Sequence, residues 1–263
     1  MKTLFRYELK SGFKNFLIWT LSVGLMGLVC LLLYKSMESS MEGMAENFAT
    51  MGAFSDAFGM NILSVATVKG FFATEVGTVH GLGSAMFAAC IATTILSKEE
   101  EQHTAEFTYT LPISRGKVVF VKYLSLVVFL VFFTIVCALL YVLGFEILDA
   151  KDYMQEFIVY MGMQLLMNIE IASICFMISA FNKKNKLGFG IGIAMVLYMY
   201  DLMARAIPDL GDYKFLSPFG YANAAEIFSK TAENENALIV GCVVVMLTII
   251  ASGFYYTKRD LAS

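Results

Sequence analysis

Six stretches of the chain are long and apolar enough to cross a bilayer as helices. They run roughly Phe16–Tyr34, Phe72–Leu96, Val118–Leu148, Tyr153–Phe181, Leu187–Ala206 and Ala237–Tyr256. A hydrocarbon core of about 30 Å needs about 20 helical residues. Inside it every backbone N–H and C=O must pair within its own segment or a closed barrel. None of the runs alternates with the period of a barrel strand, and the 3 prolines (Pro112, Pro208 and Pro218) fall outside all six. The expected fold class is therefore an all-α polytopic membrane protein, a single transmembrane domain over 1–263. Glu75 and His80 intrude at the start of the second run, the weakest of the six. Asp149–Asp152 links runs three and four so briefly that they should be antiparallel neighbours.

Composition agrees. Apolar residues make up 58% of the chain and charged residues 16%, against about a quarter charged in a soluble domain. The net charge of −3 gives no reason to expect nucleic acid as a partner. Cys30, Cys90, Cys137, Cys175 and Cys242 are widely spaced inside apolar runs, which suits small buried hydrophobes and neither a disulfide framework nor a metal site. The only two histidines, His80 and His103, lie far apart. The first apolar run is too long for a signal-peptide core and no small-x-small site follows it, so it is expected to be retained.

Basic residues orient the spans. With the N-terminus in the cytoplasm, Lys2, Arg6, Lys10, Lys14, Lys98, Arg115, Lys117, Lys122, Lys183, Lys184, Lys186, Lys258 and Arg259 all fall inside, thirteen of the 19 Lys and Arg. Most acids fall on the other side. An even number of spans then places both termini in the cytoplasm.

Two cytoplasmic segments carry further patterns. Lys2, Arg6, Lys10 and Lys14 recur every four residues beside Phe5, Leu9, Phe13 and Phe16. Residues 1–14 are thus expected to form an amphipathic interfacial helix, its cations near anionic lipid heads. Between spans two and three, Ser97 and Glu100 have capping-box spacing, Pro112 stops any preceding helix, and Ser114 is placed to cap the next. A short helix between these marks would suit force transmission from a cytoplasmic partner; a solvated charged loop is the simpler physical reading.

That segment resembles a known family. Permeases of type-2 ABC exporters carry, after span two, an acid, Gly-Thr, an acid, several leucines and Leu-Pro-(Val/Ile)-Ser-Arg. This chain has Glu99-Glu100-Glu101-Gln102-His103-Thr104-Ala105-Glu106-Phe107-Thr108-Tyr109-Thr110-Leu111-Pro112-Ile113-Ser114-Arg115. His103 replaces the usual glycine, and the leucine run is partly aromatic and polar. Six spans, Ser217-Pro218-Phe219 before the last span, and the end Lys258-Arg259-Asp260-Leu261 are also similar to the family. The resemblance implies a short coupling helix within 97–115 seated on a separate ABC ATPase in two copies, with Glu100, Thr104, Glu106, Phe107, Leu111, Pro112 and Arg115 as contacts. It also implies a second permease chain, identical or paralogous, and a bacterial plasma membrane. No GxxxxGK[ST] loop occurs in the chain. It is thus expected to be no enzyme and to hold no cofactor, with ATP and Mg in the partner.

Gln164, Asn168 and Glu170 lie well inside span four. Ionisable groups there are costly and should face protein or a watery path. They are candidates for a translocation route or a permease–permease seam, with a locally hydrogen-bonded structural Glu170 equally open. Asp201 and Arg205 are expected to pair at i, i+4. Gly77/Gly81 and Gly188/Gly192 have GxxxG spacing. On the outside, Met41, Met44, Phe48, Met51 and Phe58 fall near helical spacing, and one helix is expected from Ser217-Pro218 to about Ser229, within an outer loop 207–235. Such Met/Phe linings suit a hydrophobic or amphipathic cargo. An ion-coupled secondary transporter relying on Glu170 is the alternative. An intramembrane protease is disfavoured, because Glu99–Glu101 sit at a boundary with no second histidine in a later span.

Overall fold

The computed structural model describes residues 1–102, 104, 113–184, 186–232 and 235–258. Among these, six helices are long and apolar enough to span a membrane: α1 (Lys2–Ala49), α3 (Val68–Ile95), α5 (Arg115–Ile147), α6 (Met154–Phe181), α7 (Leu187–Ala206) and α10 (Glu235–Lys258). Shorter helices lie between them: α2 (Ala53–Phe58), α4 (Lys98–Glu101), α8 (Pro218–Tyr221) and α9 (Ala224–Ser229). No strand occurs among the described residues.

Three expected boundaries differ from the observed ones. Residues 1–14 do not form a separate helix: from Lys2 the chain runs without a break into the first span and on to Ala49 as a single helix of 48 residues. No proline interrupts it, and Met, Glu and Ala, all good helix formers, supply eight of the fifteen residues 35–49. The outer helix expected from 218 to 229 is two helices. Ser217 caps α8 by accepting from the Phe219 amide, and Asn223 starts α9 by accepting from the Glu226 amide, so the chain turns at Ala222. The capping box at Ser97 does not form: Ser97 is itself in helical conformation and buried, and makes no cap bond. Ser114 does sit at the start of α5 in extended conformation, without a side-chain cap.

The centre of the bundle is α3 and α6, about two-thirds buried along their apolar windows (67% and 61%), whereas α1, α7 and α10 are buried over only 22–28%. Helix α6 packs on α3 and α10, α7 on α3, and α1 along α5. Phe72 anchors one half of the core. It begins a π-helical turn, Phe72–Val76, and its ring lies 5.0–5.9 Å from those of Tyr141, Phe145, Phe157, Tyr160 and Phe228.

Lipid is as apolar as leucine, so close fit must supply what hydrophobic burial supplies in water. Helices α1 and α5 achieve it by seating large side chains on glycines. Phe129 covers Gly12, Leu140 covers Gly24, Tyr141 covers Gly27 and Leu31 covers Gly144. The two GxxxG pairs divide. Gly77 meets Ala224 and Gly81 meets Gln164, whereas Gly188 and Gly192 have nothing within 4 Å and the intervening Gly190 makes the close approach, to Thr93 and Ala89.

A Cβ on Gly27 would stand 2.6 Å from the Tyr141 hydroxyl, which also bonds His80 Nδ1 at 3.0 Å and is held in place. Gly27→Val should therefore cost about 1–3 kcal/mol by overpacking. Gly43→Ala, in open space within the same helix, should not lower thermal melting in detergent, since alanine favours the helix over glycine. Equal melting of the two variants would sink this account.

Candidate functional site

Sequence reasoning centres on the connection 97–115. Of its seven expected contacts, Glu106, Phe107, Leu111 and Pro112 lie outside the described residues. The other three flank a buried ionic cluster that the sequence reading missed.

Glu99 and Glu100, on the single turn of α4, are buried, as are Glu8 of α1 and Lys122 of α5. Lys122, fully buried, has its ammonium 2.5 Å from Glu99 Oε1, 3.1 Å from Glu8 Oε1 and 2.6 Å from the Ile95 carbonyl. Lys98 reaches the other Glu8 oxygen at 2.5 Å and lies 5.5 Å from the Tyr7 ring. The order Lys98–Glu8–Lys122–Glu99 alternates sign and is neutral, the condition under which buried charge is tolerable. The exposed Lys2, Arg6, Lys10 and Lys14 face away from it on the same helix. A small apolar contact of Leu4 and Phe5 with Ile113, Val118 and Val121 closes the cluster on the side of the connection's far end.

The root of the connection is held from other spans too. The Leu96 amide donates to Ser179 Oγ of α6 at 3.1 Å, and the Leu96 carbonyl accepts from the Tyr256 hydroxyl of α10 at 3.4 Å. Thr104 closes back through its amide on the Glu99 carbonyl at 2.9 Å. Arg115 reaches the Thr257 carbonyl at 3.5 Å. The two ends of the connection are thus held to α1, α5, α6 and α10 together. Two signals could have found the cluster: Glu8 is the only acid before Glu38, and Lys122 is the only cation within Val118–Leu148.

The second expected group, Gln164, Asn168 and Glu170, is buried inside the protomer. Gln164 and Glu170 dock the turn between α8 and α9. Gln164 Nε2 donates to the Ala222 carbonyl at 2.9 Å, and the Tyr221 hydroxyl donates to Glu170 Oε2 at 2.8 Å. Gly241 of α10 lies directly against that carboxylate; a Cβ there would come within 2.6 Å of it. Gln164 also borders a small, half-open cavity of about 40 Å³ with Thr78, Tyr198, Arg205 and Asn223. Removing the donor by Tyr221→Phe leaves a buried carboxyl unsatisfied. It should cost about 1–3 kcal/mol and raise protease cleavage within 207–232, while Tyr213→Phe, at an exposed tyrosine, should do neither.

The Asp201–Arg205 pair forms as expected at i, i+4, and Arg205 Nη1 also donates to the Ala57 carbonyl at 2.9 Å, tying α2 to α7.

No curated protein matches the chain significantly. A family model does, that of the ABC-2 family transporter protein, and it spans residues 3–261, nearly the whole chain. With six candidate spans and no strand among the described residues beside that match, the chain belongs to the ABC-2 family of transporter proteins, as a multi-pass ABC transporter permease.

Proposed function

We propose that this permease is the membrane half of an ATP-driven exporter whose ATPase is a separate chain. Its N-terminus, the connection 97–115 and its C-terminus face the cytoplasm, and a second permease completes the pathway. The observation that carries this reading is the Lys98–Glu8–Lys122–Glu99 cluster at the root of 97–115. A solvated loop has no need of four charges locked among span ends, whereas a lever does. ATP binding closes the partner ATPases, which press on 97–115. The cluster passes that displacement to α1 and α5, biasing the spans between occluded and open states. Coupling of this kind needs a stiff connection, and short charge-assisted bonds among buried partners are the stiffest polar links available.

At the opposite end, the turn held by Gln164 and Glu170 covers the outer mouth. The exposed Met51 and Phe54 side chains by α2 suit a hydrophobic or amphipathic cargo. Glu170 in this reading is a docking group for that turn and carries no coupling ion.

The test uses the chain with its partner ATPase in proteoliposomes. Glu106→Ala and Arg115→Ala should each lower transport and cargo-stimulated ATP turnover several-fold, with membrane insertion unchanged. Undiminished coupling in both variants, or a reporter inserted at 97–115 emerging on the cell exterior, would overturn the reading.

A further inference from the structure

The far third of α1 is built for a partner that the protomer does not supply. At 1.5 Å per residue its 48 residues extend about 72 Å, more than twice the hydrocarbon core of about 30 Å. Its packed stripe, Thr20, Val23, Gly24, Gly27, Leu31 and Tyr34, ends where the Tyr34 hydroxyl donates to the Ala66 carbonyl at 2.7 Å. From Lys35 to Ala49 no residue is buried. A lone helix of this length is marginal in water. Glu38, Glu42 and Glu46, repeating at i, i+4, weaken it further by mutual repulsion.

The apolar residues of this extension follow a different spacing. Met37, Met41, Met44 and Phe48 succeed one another at intervals of four, three and four, the a/d seam of a heptad repeat. Met37 and Met44 are 36% and 47% exposed, and Met41 and Phe48 are half-buried, so the seam is open along its d positions and partly open at a. None of the three acids lies on it. With Met41 and Phe48 at a, Glu38, Glu42 and Glu46 take positions e, b and f. In a parallel pair the e side chain of one helix meets the g side chain of the other. Glu38 then meets Leu33, and Ala45 meets Ser40, so no acid opposes an acid.

We propose that residues 35–49 pair with the same segment of a second copy of this chain, as a short parallel two-helix coil standing off the membrane. This rests on the reading of the chain as one of two membrane-spanning subunits, and it selects an identical copy. Two copies in one bilayer, related by an axis along the membrane normal, present these helices parallel and in register, which the seam requires. A cationic peptide would instead want the acids flanking the seam on both sides, and the g positions hold only Leu33, Ser40 and Asn47. Two Met-rich heptads bind weakly alone, but membrane tethering raises the effective concentration.

The test is oxidative cross-linking of the full chain in native membranes. Met41→Cys and Met44→Cys place thiols at the seam, Glu46→Cys places one off it, and the unaltered chain sets the background from Cys30 and Cys242. The seam variants should give several-fold more covalent homodimer than Glu46→Cys, and Met41→Asp in the Met44→Cys chain should abolish the excess. Equal cross-linking on and off the seam, or capture of a different protein, overturns the pairing. A chain that binds its ATPase and transports but lacks the pattern also overturns the pairing while leaving the permease reading intact. The pattern without any ATPase binding supports the pairing and removes the exporter reading.

Discussion

Lys122→Met is expected to be the most damaging single substitution at the basic end of the bundle. The variant keeps the length of the side chain but removes the only charge facing both Glu8 and Glu99, each almost fully buried. Lys98 remains on one oxygen of Glu8, and Glu99 is left with no cation from Lys122. Breaking a buried pair from one side typically costs about 3–5 kcal/mol, because the surviving charge cannot return to water. Thermal unfolding in detergent should show a loss of that order, together with loss of cargo-stimulated ATP turnover. The triple variant Glu8→Gln, Lys122→Met, Glu99→Gln removes the fully buried uncompensated charges, leaves only the part-exposed Lys98, which can reach water, and should recover most of the stability. If the cluster is a lever, turnover should stay low in the triple variant, because neutral amides hold the connection less stiffly than ion pairs. A stable Lys122→Met, or a triple variant with full coupling, would remove the role assigned to these four residues.

The six spans were legible because length and apolarity decide them. Run five was placed to the residue, since Pro208 forces Ile207 out of helical conformation just past the observed end at Ala206. Run one was not, because nothing in Lys35–Ala49 stops a helix; the hydrophobic signal ended at Tyr34 while the helix did not. The outer turn was misread for a tertiary reason. Helix propensity favours continuing through Ala222, but its carbonyl is taken by Gln164, 58 residues away, and Asn223 restarts the helix. The ionic cluster was hidden by an economical explanation: Lys98 and Lys122 were already accounted for as topology charges, and Glu8 lies 90 residues from Lys98. One charge can serve both purposes, and only a three-dimensional contact reveals the second.

The same electrostatics at the other end of the bundle should give a different functional result. Asp201 is fully buried and faces Arg205, which also holds the Ala57 carbonyl. Arg205→Ala strands the aspartate and releases α2 from α7, so a loss of about 3–5 kcal/mol is expected, with new protease cleavage between residues 50 and 67. Asp201→Asn combined with Arg205→Met leaves no orphaned charge and should restore most of the melting temperature. It should not restore protection of 50–67, because methionine offers the Ala57 carbonyl no donor. The connection 97–115 lies across about 30 Å of bilayer, so the single variant should still bind the ATPase subunit as the unaltered chain does, and Lys122→Met should leave 50–67 protected. The two ends are then separable: one set of buried charges holds the root of the connection, the other holds α2 to α7. Loss of ATPase binding in Arg205→Ala at a temperature where the protein is still folded would mean that the ends are not independent, and the lever would have to run through α7 as well.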